Sequence, residues 1–171
     1  MTDLGTLGGD RSDAFAINEA GQIVGVSTIV PGQNVPELED GWRAFLWQDG
    51  RMEALGTAEA RSTGAWGIND RGEVVGEAVE VVADAGEPDA LLWRGEQATD
   101  LADLIPPESG WDRLRIARAI NARGQIVGWG QRDGATRAFL LTPRSAHATP
   151  IPGAPVPSVS IEPPLRFADT V

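Results

Sequence analysis

The chain has 171 residues, 42% of them hydrophobic, and a net charge of −11. That is about one domain's length, with enough apolar residues for a core. All 14 basic residues are Arg, and so acidic a chain lacks the basic face that a phosphate backbone requires, so nucleic acid is not an expected partner. There is no run of ~18 apolar residues, so no membrane span is expected. The absence of Cys excludes disulfides, thiolate metal sites and Cys nucleophiles. With 21 Gly and 12 Pro, turns are frequent, which suits many short strands.

The first 13 residues, "MTDLGTLGGDRSD", have neither a basic nor an apolar stretch, so they do not read as a signal peptide. Within them "TDLGTL" (2–7) reads as a strand with no unit in front of it, which suggests that Met1 is not the natural start and makes the phrase a candidate partner for "RAFLLTP" (137–143) of the last unit. Three related phrases follow: "AINEAGQIVG" (16–25), "GINDRGEVVG" (67–76) and "AINARGQIVG" (119–128). Their Asn residues, Asn18, Asn69 and Asn121, are 51 and 52 positions apart. A second phrase recurs after each: "RAFLW" (43–47), "DALLW" (89–93) and "RAFLL" (137–141). The units run approximately over 8–57, 58–104 and 105–143, all within a domain of residues 1–143. A fixed period of this kind is the mark of a repeat architecture.

Each unit reads as two hairpins. Apolar residues alternate on both sides of the first turn, and Gly21, Gly72 and Gly124 are placed for a positive φ there. Asn18, Asn69 and Asn121 are expected to fold their side chains back onto the turn backbone. Gly25, Gly76 and Gly128 mark a bulge or a close backbone approach. Asp49-Gly50 signals a tight turn in the second hairpin, with Arg94-Gly95-Glu96 at the matching place. The loop between hairpins shortens along the chain, and its first two copies are acidic. Residues 144–171 change character; they are Pro-rich and read as an extended or disordered tail. The expected fold is therefore all-β: three repeats of four antiparallel strands, arranged like β-propeller blades. A β-trefoil-like closure is the alternative.

These phrases, in order, resemble the HAF repeat family of bacterial proteins over roughly residues 2–143. The resemblance implies a β-propeller of repeated blades on exported or surface proteins, and hence an extracellular location. It carries no catalytic residues. "RAF" at Arg43 and Arg137 and "DAL" at Asp89 stand where the family has its His, so no role for that His transfers.

The one His, His147, lies in the tail, and no nucleophile elbow, phosphate loop or zinc motif occurs. No cofactor and no metal site are expected. Asp13, Asp70 and Asp112 are candidates for a glycosidase pair, against a reading as solvated turn acids. Of the six Trp, Trp47 and Trp93 occupy matching strand positions and read as core. Trp42 and Trp111 lie in loop-like contexts and are candidates for stacking on a sugar or peptide, against edge packing. The functional expectation is a non-enzymatic binding or structural module that recognises a protein or glycan through its inter-hairpin loops. The alternatives are a carbohydrate-active hydrolase and a fragment of a longer propeller. Three blades are few for a ring, so a homodimer completing one is a further expectation.

Overall fold

A computed structural model of the chain describes residues 1–29, 41–56, 60–80, 87–143 and 167–169. They form three antiparallel sheets, each a meander of strands paired in chain order. Sheet 1 is β1 (Gly8–Ile17), β2 (Ile23–Ile29), β3 (Trp42–Gln48) and β4 (Arg51–Leu55). Sheet 2 is β5 (Ala60–Ile68), β6 (Glu73–Glu80), β7 (Asp89–Arg94) and β8 (Gln97–Asp100). Sheet 3 has three long strands, β9 (Arg113–Ile120), β10 (Ile126–Arg132) and β11 (Ala135–Pro143), with the short β12 (Phe167–Asp169) on the outer edge of β11. None of the sheets closes on itself. The chain is thus all-β, in repeated four-stranded units.

The recurring glycines have two different causes. Gly21, Gly72 and Gly124 take φ of 76°, 73° and 78°, the left-handed region that the first turn of each unit needs. Gly25, Gly76 and Gly128 lie in ordinary strands opposite a register shift. A Cβ there would overlap the carbonyl of Asp13, Gly64 or Ile116 and would press on the ring of Phe45, Trp93 or Phe139 from the neighbouring strand. The glycine lets the bulged strand approach and a cross-strand aromatic cover the gap. Asp49-Gly50 makes a two-residue hairpin loop with φ of 52° and 84°. In the third unit the inter-hairpin loop has shrunk to a turn of the same kind, Asp133-Gly134. Its counterparts in the first two units, residues 30–40 and 81–86, lie outside the described residues.

The core lies between sheets. Val24, Ala44 and Leu55 of sheet 1 pack on Ala65, Ile68, Val74 and Trp93 of sheet 2. Val75, Ala90 and Leu92 of sheet 2 pack on Leu114, Ala117, Ile126 and Leu141 of sheet 3. Period-2 alternation makes this possible: Val74 and Val75 are adjacent, so one faces the preceding sheet and the other the following one. A 3-10 turn, Leu101–Leu104, buries Leu101 and Leu104 beside the second interface. Asp100 caps it, accepting from Ala102 N at 2.8 Å.

Residues 1–6 form no strand, and Leu7 makes a single parallel bridge to Ile29. This segment folds back on sheet 1 through hydrogen bonds of Thr6 Oγ1 to Gly9 O, Ser12 Oγ to Gly5 O and Leu7 N to Ser27 Oγ. It therefore does not supply the edge partner of β11, a place that β12 takes from the tail. The rest of the tail, for which disorder is the expectation, lies outside the described residues.

Candidate functional site

The Asn of each first turn does two things. Its Oδ1 accepts two turn amides: Ala20 and Gln22 at Asn18, Arg71 and Glu73 at Asn69, Arg123 and Gln125 at Asn121, all within 2.9–3.1 Å. Its Nδ2 then reaches out of the unit. Asn18 Nδ2 donates to Asn69 O at 3.0 Å, and Asn69 Nδ2 donates to Asn121 O at 3.2 Å. The three turns are thus joined in a ladder running one way along the chain. Glu19 N donates to Asp70 Oδ1 at 3.0 Å, and Arg71 Nη1 donates to Ala122 O, parallel to the ladder.

Glu73 is the charged centre of that ladder. It accepts from Asn69 Nδ2 at 2.6 Å, from Arg94 Nε at 3.0 Å and from Arg71. Burial works to raise its carboxyl, but the bonds from Asn69, Arg71 and Arg94 outweigh it and hold the group below the usual carboxylate range.

A second line runs down the first strand of each sheet, an edge strand in all three. The register shifts leave Phe15, Trp66 and Arg118 as the extra residues of β1, β5 and β9. These three stack. The Phe15 and Trp66 rings lie 4.6 Å apart, and the Arg118 guanidinium lies 4.6 Å above the Trp66 ring. Glu77 reaches this column from β6. Burial raises its carboxyl above the ordinary range, against the opposing pull of the Arg118 charge and the Trp66 indole. A planar column beside such a carboxyl is suited to stacking on a flat or cationic surface. Each of the three residues stands three positions before its unit's Asn, which is the signal that an aligned reading of the repeats offers. Their identities differ completely, so matching phrases by eye passes over them.

At the other end of the sheets the Trp candidates are occupied. Trp111 packs against the core edge-on to Phe139, with ring centroids 5.9 Å apart, and the Arg132 guanidinium lies 6.0 Å from its ring. Trp42 is half-buried, with the Arg11 guanidinium 5.2 Å from its ring. Trp93 is fully buried in the core between sheets 1 and 2, whereas its counterpart Trp47 is only half-buried, with no sheet packed on that face of sheet 1 among the described residues. Arg115 is buried and binds Glu87 at 3.2 Å and Pro88 O at 3.3 Å. Arg113 pairs with Asp89 at 3.3 Å.

The carboxylate candidates do not converge. Asp70 sits at the ladder, while Asp112 accepts from Gly134 N at 3.1 Å at the far end of β9. Eight residues of β9 separate those ends, roughly 26 Å at strand rise, against ~5–9.5 Å for a glycosidase pair. Asp13 is exposed on β1. Among the described residues no group of three His, Cys, Asp or Glu is placed to hold a metal ion, and no helix is long and apolar enough to cross a membrane.

Compared with known proteins, the chain matches no family model, no curated protein and no solved structure.

Proposed function

We propose that the chain is a non-enzymatic repeat module of a β-propeller, of the HAF kind, whose stacked sheets carry a binding surface on their inter-hairpin loops. The observation that supports this reading most is the division of labour within each unit. The repeated residues at the Asn-turn end are engaged in joining one sheet to the next, through the Asn18, Asn69 and Asn121 ladder. Variation in length is left to the connections between hairpins, which shrink to Asp133-Gly134 in the third unit. A rigid scaffold with variable loops at one end is how repeat proteins present a recognition surface. The family resemblance adds an exported setting, in which a glycan or a protein is the ligand.

The test replaces residues 31–39 and 82–86 with short Gly-Ser links and screens both proteins on a glycan array and a panel of chromogenic glycosides. The expected outcome is an unchanged melt, glycan binding by the parent chain alone, and no turnover by either. Glycoside turnover by the parent that disappears in Glu77→Gln or Asp70→Asn would overturn the reading in favour of a hydrolase.

A further inference from the structure

The two outer sheets present faces that match the faces buried inside the molecule. Val24, Val75 and Val127 are equivalent residues; the first two are 0% exposed beneath the following sheet, and the third is 43% exposed. Leu140 is exposed in the same way on that face of sheet 3, where Leu92 of sheet 2 is buried. The opposite face behaves as its mirror. Ile68 is 8% exposed beneath the preceding sheet, whereas its counterpart Ile17 on sheet 1 is 66% exposed. Monomers rarely leave large apolar side chains clustered on two separate sheet faces.

The polar ladder has two matching loose ends. Asn69 O accepts from Gly72 N and from Asn18 Nδ2, and Asn121 O accepts from Gly124 N and from Asn69 Nδ2. Asn18 O accepts only from its own turn among the described residues, through Gly21 N. A carbonyl oxygen has two lone pairs, so one acceptor site is open there. At the other end Asn121 Nδ2 donates only to Gln125 Oε1 among the described residues, with its second proton unspent.

The bulge column ends likewise. Arg118 is exposed beyond Trp66, and Phe15 presents a ring that is 44% exposed at the opposite end. Arg118 over an aromatic ring is already the contact made to Trp66, so Phe15 of another copy would receive the free side of that guanidinium.

We propose that a second copy of this chain is the partner of both faces: sheet 3 of each copy covers sheet 1 of the other, closing two chains into a ring of six sheets. The Asn ladder leaves a donor on sheet 3 and an acceptor on sheet 1, and the apolar faces and the bulge column leave exposed ends on the same two sheets. A single chain with three sheets cannot bring these together, and a head-to-tail contact either closes into a ring or grows into a filament. Six sheets fall within the ~4–8 that closed radial arrays use.

Sedimentation equilibrium on the full chain tests this, using wild type, Val127→Glu, Ile17→Glu and an equimolar mixture of the two variants, at about 100 µM protomer. Both positions are exposed, so each protomer keeps its fold, which the melt of each variant verifies. Wild type is expected at about twice the 18.1 kDa chain mass, and each variant alone at the chain mass. The mixture is expected to recover the doubled mass, because the Val127→Glu copy retains an intact sheet 1 and the Ile17→Glu copy an intact sheet 3. A same-face dimer would survive one of the two substitutions, which overturns the proposal. So does a monomeric wild type, whose faces are then covered by its own tail or by another protein, and so do a mass that grows with concentration beyond twice the chain mass and a mixture that stays monomeric.

Discussion

Replacing Glu73 by Gln removes one charge and leaves the shape of the site. Glu73 is the acceptor for Asn69, Arg71 and Arg94, and its side chain is only 10% exposed. Hydrogen bonds to a charged group contribute about 1.5–3 kcal/mol each when buried. The two Arg side chains are 49% and 37% exposed, so most of that is screened for them. The Gln amide also turns a donor toward donors. A loss of about 2 kcal/mol at neutral pH follows, or roughly 1 M in the urea midpoint. The pH dependence is the sharper part. The Glu73 carboxyl is held below its ordinary value of 4.5, so its contribution is complete above that value and is lost as pH falls through the lower, folded value. Urea unfolding of parent and Glu73→Gln at about pH 7 and pH 3 is therefore expected to show a smaller gap in acid than at neutral pH. An equal gap at both pH values would refute the ion-pair reasoning and leave packing as the cause.

Asn69→Ala deletes the one oxygen that accepts from two turn amides, the bond to Glu73 and the bond to Asn121; about 3 kcal/mol of stability, or a melting point lower by about 6–12 °C, is expected in a thermal scan. Gly76→Ala drives a Cβ into the Gly64 carbonyl and to 3.0 Å from the Trp93 ring, which is expected to cost about 2–3 kcal/mol in urea unfolding, whereas Gly56→Ala, with open space, costs nothing measurable. Glu77→Gln is expected to act opposite to Glu73→Gln. Burial raises the Glu77 carboxyl, so its folded site favours the proton; the stability this gives is complete below about 4.5 and lost as pH rises through the folded value, and the Gln variant gains on the parent at neutral pH but not in acid.

Much of the architecture is legible in the sequence because it is written three times. The alternation around Gly21, Gly72 and Gly124 is enough to place two strands and a turn in every unit, and a positive φ leaves few other residues for those positions. The bulge at Gly25, Gly76 and Gly128 is legible for the same reason, since a strand glycine has few other uses. Asn18, Asn69 and Asn121 are legible only by half. An Asn before a turn reads as a local cap, and nothing local says that its Nδ2 bonds a backbone 51 or 52 residues away. The column of Phe15, Trp66 and Arg118 is harder still, because the position requires a flat group rather than one residue type. Residues 2–7 read as a strand in the sequence because their phrase matches a closing strand, yet residues 1–6 form none. In the fold their local hydrogen bonds hold them against sheet 1.

The central claim is that the chain is a stack of sheets whose two ends are made for each other. Its most direct test is the absolute mass of the full chain by light scattering across a dilution series of roughly 1–100 µM. A mass of about twice 18.1 kDa that gives way to the single-chain mass only on dilution is the result predicted. A single-chain mass at every concentration, with one cooperative melt, would contradict it and would mean that the exposed faces of sheets 1 and 3 are satisfied without a second copy.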